Sequence, residues 1–177
     1  MEQTKWIDRK FNFNFPAGLF PNIIERLRGT PIRLEKMIEG INRETLTKKL
    51  GSAWSIQEHA GHLLDVDALH EKRINQFIAN MDILMPADMS NKKTNLADYN
   101  SKDINDILMQ FSAARNSLTT NAERLDDILI IRTAIHPRLN TEMRLVDMLY
   151  FAAEHDDHHL AFIRNLIKNF QYNAGRI

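Results

Sequence analysis

Cysteine is missing from this chain of 177 residues. Its absence excludes disulfides, a thiolate zinc site and a protein-thiol nucleophile, so any sulfur chemistry must use a sulfur carried by a substrate or cofactor. Net charge is missing too: lysine plus arginine and aspartate plus glutamate number 23 each, which leaves no global basic field for nucleic acid or an anionic membrane. There is no long uncharged apolar run, and the N-terminal Met1-Glu2-Gln3-Thr4-Lys5-Trp6 lacks the apolar core of a signal peptide. A soluble, cytoplasmic protein without membrane or nucleic-acid partners is the expectation. Internal repeats and low-complexity tracts are absent, and strand signal is almost absent. A chain of this length is most simply one domain, residues 1–177, long enough to bury a proper core.

What the chain does contain is helical periodicity. Residues 1–18 carry Trp6, Phe11, Phe13 and Phe15, the last three alternating with asparagines. With no partner strand in sight this is read as an extended arm laid on the body. Apolar spacing then predicts helices over residues 20–39, 55–80, 102–123 and 141–169. Gly29-Thr30-Pro31 interrupts the first, predicting either a kink or a stop with Thr30 capping a second piece, and Gly40 ends it. Ser55 and Glu58 have capping-box spacing at the start of the second. Thr141 or Asn140 is expected to cap the fourth. The predicted fold is all-α, a four-helix bundle with an N-terminal arm and a long loop, residues 81–99, between helices two and three. Met81, Met85 and Met89 of that loop either line an adaptable pocket or merely pin the loop down. His136, kept out of helix by Pro137, reads as a surface or loop histidine.

Glu154-His155-Asp156-Asp157-His158-His159-Leu160 concentrates three of the seven histidines. On a helix, His155 and His159 lie on one face, one turn apart. The stripe of Leu145, Met148, Ala152, Phe162, Leu166 and Phe170 has two missing positions, which these histidines fill, while His158 falls to the flank. Asp156 and Asp157 fall outside the stripe's centre and are expected to be solvated or to back up the site. Two imidazoles inside a core stripe must each find a partner, because an unpaired buried polar group costs about 1–3 kcal/mol. A shared metal ion satisfies both; hydrogen bonds to backbone or carboxylates are the alternative. A third ligand has to come from His59, His62 or His70 on the second helix, and periodicity does not choose among them.

Trp54-Ser55-Ile56-Gln57-Glu58-His59-Ala60-Gly61-His62-Leu63, followed by His155-Asp156-Asp157-His158-His159, resembles the DinB/YfiT-like superfamily of four-helix-bundle metalloproteins. Asp8-Arg9-Lys10-Phe11-Asn12-Phe13, Arg26-Leu27-Arg28-Gly29-Thr30-Pro31 and His136-Pro137-Arg138-Leu139 extend the resemblance along nearly the whole chain. In that family one histidine comes from a Gly-His-Leu step and two from a His-x-x-x-His pair, which implies His62, His155 and His159 here. Three neutral imidazoles suit zinc, nickel, copper or iron(II) and leave at least one coordination position open. Glu58, Asp65 and Glu154 are candidate carboxylates for orienting the ligands, each with a solvated helix charge as the alternative.

The resemblance implies an enzyme, a metal-dependent transferase moving a group of a small-molecule substrate onto a low-molecular-weight thiol. A metal-dependent hydrolase using bound water is the alternative within the same class. A non-enzymatic dimeric helical protein with a structural ion is the alternative outside it. Bundles resembling this one are commonly dimers, and the aromatic arm is the candidate contact. No residue is assigned a catalytic role beyond a thiolate or water held by the ion.

Overall fold

A computed structural model describes residues 3–174, so the first two residues of the predicted arm and the last three of the predicted domain lie outside the described residues. Four long helices dominate: α1 (Phe20–Ile38), α3 (Ile56–Ile78), α5 (Ile104–Glu123) and α7 (Leu145–Ala174). Short helices α2 (Arg43–Thr47), α4 (Lys92–Leu96) and α6 (Asp127–Ile130) lie in the connections, with an antiparallel hairpin of β1 (Thr133–His136) and β2 (Thr141–Arg144) before α7. α1 and α3 each pack against both α5 and α7, which puts α1 and α3, neighbours in sequence, at opposite corners of the bundle. No helix among the described residues is long and apolar enough to cross a membrane.

Local chemistry sets the helix ends. Ser55 Oγ accepts from the Glu58 N–H while the Glu58 carboxylate accepts from the Ser55 N–H, the reciprocal capping box that starts α3. α1 stops just before Gly40, whose φ of 75° a side-chain-bearing residue adopts only with strain. The arm is extended between single 3-10 turns, with Trp6 and Phe11 packed on Phe151. Arg144 fastens it to the bundle, donating to the Phe13 and Phe15 carbonyls while pairing with Asp147 in the first turn of α7.

Two apolar layers fill the bundle. One contains Leu27, Ile74, Leu118 and Ala152; the other contains Leu34, Leu63, Phe111 and Leu160. Between them lies a polar layer made by the residues that fall between those positions on all four helices: Thr30, Asp67, Arg115 and Asp156. Arg115 donates to Asp67 Oδ1 at 2.8 Å and to both carboxylate oxygens of Asp156. Thr30 Oγ1 donates to Asp156 Oδ2 at 2.8 Å. Burial alone would lower the Arg115 pKa, but the charges of Asp156 and Asp67 raise it.

Of the two readings of Gly29-Thr30-Pro31, a kink or a stop, the stop is ruled out. α1 runs through Pro31 without a break. Proline has no N–H to give the carbonyl four residues earlier; that carbonyl, on Leu27, instead accepts from Arg115 Nη1 at 2.9 Å. The tertiary partner replaces the lost helical bond. The same layer corrects Asp156, expected near solvent: it is 1% exposed.

Three further expectations are revised. Residues Thr141–Arg144 are strand, paired with β1 around a turn in which Asn140 has a φ of 47°, so α7 begins at Leu145. His136 is buried in β1, its Nδ1 accepting from the Leu139 N–H. Phe162, placed in the buried stripe, is 36% exposed and lies against His59 at the protein surface.

Candidate metal centre

α3 presents His62, and α7 presents His155 and His159 one turn apart. One ring nitrogen from each comes within 4.8 Å of the others. His155 Nε2 and His159 Nε2 are 3.2 Å apart. Two nitrogens bound tetrahedrally at zinc–nitrogen lengths would stand about 3.3 Å apart, so the spacing of this pair suits a shared ion. His62 and His159 are buried and His155 is half-buried with its Nδ1 enclosed.

Each ring is held by a different device. His62 Nδ1 is 3.1 Å from Thr94 Oγ1, and Thr94 Oγ1 donates to Asp65 Oδ2 at 2.8 Å. A hydroxyl has one proton, and the carboxylate takes it. Thr94 must therefore accept from His62 Nδ1–H, which leaves the lone pair on Nε2. Asp65 is fixed in turn by Tyr99 Oη–H at 2.9 Å and by Lys93. His159 Nδ1 is 2.8 Å from His59 Nδ1, and a proton on His159 Nδ1 donated to His59 directs the His159 lone pair to Nε2. His155 is braced by the Trp6 ring, and its Nδ1 has no hydrogen-bond partner among the described residues.

Burial keeps these imidazoles neutral. It lowers the His62 pKa to about 4 despite Asp65, and lowers that of His59 to about 4 with help from the neighbouring His62. His155 and His159 are pushed well below the ordinary imidazole value, by burial first and by the surrounding histidines second. Neutral imidazoles have lone pairs ready for an ion, with no proton to displace at neutral pH. Three neutral nitrogen donors gathered within 4.8 Å of one another are a donor set that suits a divalent transition metal.

Among the carboxylates expected to support the ligands, only Asp65 reaches one, through Thr94. Glu58 is committed to the capping box and Lys49. Glu154 pairs with Arg9 and Arg26, facing away toward the arm and α1. His158 takes the Gln3 amide at Nδ1 rather than joining the cluster.

Spacing could not reveal several parts of the site. Thr94 and Tyr99 come from the 81–99 loop. Trp54, visible beforehand only as the first residue of the motif that carries the family resemblance, packs its ring on His62 at 4.7 Å between centroids. Gly61 has a role in the same construction: a Cβ there would overlap the Tyr99 ring, so only glycine lets that ring lie against α3 and reach Asp65.

Two chambers meet at the cluster. An inner cavity of about 500 Å³ has walls that include Trp6, Phe151, Met85 and Met89. An outer groove of about 880 Å³ is lined by His59, Phe162, Asn165 and Lys168 among others. Trp54, Asn91 and His159 belong to both. Met85 and Met89 thus take the lining role considered for the loop, while Met81 lies outside both linings.

An all-α bundle with a histidine cluster at the junction of two chambers defines the class of protein, and sequence comparison defines the family. The DinB superfamily profile matches residues 26–163, from within α1 to within α7 and across all three clustered histidines, and the chain belongs to that superfamily. The fold is similar to that of YfiT from Bacillus subtilis, described as a probable metal-dependent hydrolase with an unusual four-helix bundle topology. That likeness has a TM-score of 0.81 at 19% identity and covers 92% of this chain and 94% of that one. The fold is also similar to that of a mycothiol-dependent maleylpyruvate isomerase, with a TM-score of 0.64 at 7% identity over 83% of this chain and 60% of that chain. No curated protein matches the sequence.

Proposed function

We propose that this protein is a metal-dependent transferase that joins a small electrophile to the sulfur of a low-molecular-weight thiol, with His62, His155 and His159 holding a zinc, nickel or iron ion. The observation that carries this reading is the position of the cluster between two chambers that share Trp54, Asn91 and His159. A reaction between two organic molecules is served by two places that open on one reacting point, whereas the water consumed in hydrolysis needs no chamber of its own. The chain has no cysteine, so the sulfur belongs to the second substrate.

A divalent ion on three neutral imidazoles supplies a Lewis acid with an open position that lowers the pKa of a bound thiol. The protein's own groups do the rest. Asp65 and Thr94 hold the His62 tautomer. With His159 Nε2 given to an ion, its Nδ1–H would donate to His59 Nδ1, 2.8 Å away. Trp54, Met85 and Met89 give the inner chamber apolar walls. In the transfer the thiol sulfur forms a bond to the electrophilic carbon, the thiol proton goes to solvent, and the displaced group leaves with its electron pair.

Hydrolysis is the second reading. The same open position accommodates a water molecule, and YfiT, whose fold this chain shares, is described as a probable hydrolase. The separating experiment incubates metal-loaded protein with a chromogenic electrophile and a panel of low-molecular-weight thiols, and with an activated ester without thiol. Conjugate formation that needs both metal and thiol supports the transferase. Turnover of the ester without thiol, with no conjugate from any thiol, overturns it in favour of the hydrolase.

A further inference from the structure

The 500 Å³ cavity is also lined by Arg73, Arg138 and His70, polar groups outside the metal cluster whose hydrogen-bonding capacity the protein leaves partly or wholly unfilled. Arg73 is 2% exposed, and its Nε and Nη2 donate to one acceptor, the Met85 carbonyl, at 3.0 and 2.9 Å. Arg138 stands nearby over the rings of Trp6 and Phe151, and its Nη2 is buried without a hydrogen-bond partner among the described residues. His70 is 3% exposed, and neither of its ring nitrogens has a partner among them.

Charge makes the pattern specific. The other deeply buried arginine, Arg115, is matched by Asp67 and Asp156. Among the described residues no carboxylate forms an ion pair with Arg73 or Arg138. The two carboxylates on the cavity wall are engaged elsewhere: Asp65 with Thr94, Tyr99 and Lys93, and exposed Asp88 with Ser90 and the Lys92 N–H. Burial, and then the charge of Arg138, lower the Arg73 pKa to about 10, the response of a cation facing a second cation without an anion. Buried charge is normally paired, because desolvating an unpaired ion is expensive.

We propose that this end of the cavity is a carboxylate-binding pocket, in which Arg73 and Arg138 clamp the carboxylate of the electrophilic substrate and His70 donates a further hydrogen bond to it. Guanidinium groups present parallel N–H donors that match the two oxygens of a carboxylate. Among the other lining residues, Trp6, Phe151, Met85 and Met89 suit an apolar body attached to that group. The substrate class is then a small apolar acid whose electrophilic carbon reaches back to the histidine cluster. Assigning the ligand as substrate rests on the transferase reading; the pocket's preference for carboxylate does not.

Both tryptophans of the chain, Trp6 and Trp54, line this cavity, so their fluorescence reports its occupancy. The probes are 3-phenylpropanoate and its uncharged amide, titrated into metal-free protein at low salt. The carboxylate is expected to bind at least about tenfold more tightly than the amide, the least that a charge-assisted hydrogen bond provides. Arg138→Gln, a substitution at a half-buried residue beside the hairpin turn, is expected to abolish that preference. Arg73→Lys, which keeps a donor for Met85, is expected to weaken it. His155→Ala is expected to lose metal and retain the preference, whereas Arg138→Gln keeps metal, so failure of the pocket and failure of the metal centre are distinguishable. Equal affinity for acid and amide, no binding of either, or an undiminished preference in Arg138→Gln overturns the proposal.

Discussion

Replacing Thr94 by valine removes one hydroxyl and nearly no volume, yet that hydroxyl joins His62 to Asp65. Its proton goes to Asp65 at 2.8 Å and its lone pair receives His62 Nδ1–H at 3.1 Å. In Thr94→Val, Asp65 still has Tyr99 and Lys93, but the enclosed His62 N–H is left without an acceptor. The unpaired donor should lower the stability of metal-free protein by about 1–3 kcal/mol. His62 also loses the bond that keeps its lone pair on Nε2, and outer hydrogen bonds of this kind are worth about 10–100-fold in metal affinity, roughly 1.4–2.7 kcal/mol. Competition for zinc against a chromophoric chelator measures the affinity, and denaturant unfolding measures the stability. Thr94→Ser keeps the hydroxyl and should restore both. Wild-type affinity in Thr94→Val, or an equal loss in Thr94→Ser, would refute the relay.

Two other perturbations have worked outcomes. Arg115→Met leaves Asp67 and Asp156 buried without a cation and the Leu27 carbonyl without a donor, and should destabilise by about 3–5 kcal/mol at pH 7 in denaturant titrations. Burial already pushes Asp67 up to about 6, so without Arg115 the folded state binds more protons than the unfolded one. The deficit relative to wild type should therefore shrink on going from pH 7 to pH 5; a constant deficit contradicts the assignment. The third outcome concerns metal retention. Because the His62 pKa is lowered to about 4 and those of His155 and His159 also lie well below the ordinary imidazole value, affinity should stay nearly flat from pH 8 to about pH 5.5. Three imidazoles of ordinary pKa would lose up to about 1,000-fold over that range in a chelator competition.

Much of the architecture was legible because burial imposes a period on helices. The apolar stripes located the four long helices, and the Ser55–Glu58 spacing located the start of α3, since both are local consequences of helix geometry. His155 and His159, four residues apart on α7, come together for the same reason. The misread features were those whose partners lie far away in sequence. Pro31 left a stop as open as a kink because the arginine that takes over the Leu27 carbonyl is on α5. Asp156 looked solvent-facing because its counter-charge is on α5 and its hydroxyl donor on α1. The short hairpin before α7 was read as helix because a strand of four residues has little period to show. His62 could not be chosen over His59 and His70 by spacing because all three are buried; the family resemblance singled it out, and Thr94 and Tyr99, which lie beside it, are supplied by a loop without periodicity.

The central claim is that His62, His155 and His159 hold one divalent ion. Elemental analysis of untagged protein, after incubation with zinc, nickel or iron and removal of free ion, tests it most directly. About one equivalent of bound metal is expected in wild type and in His158→Ala, and a loss of most of it in His62→Ala, His155→Ala and His159→Ala. Less than about a tenth of an equivalent in wild type, or a loss in His158→Ala equal to that in His159→Ala, would contradict it.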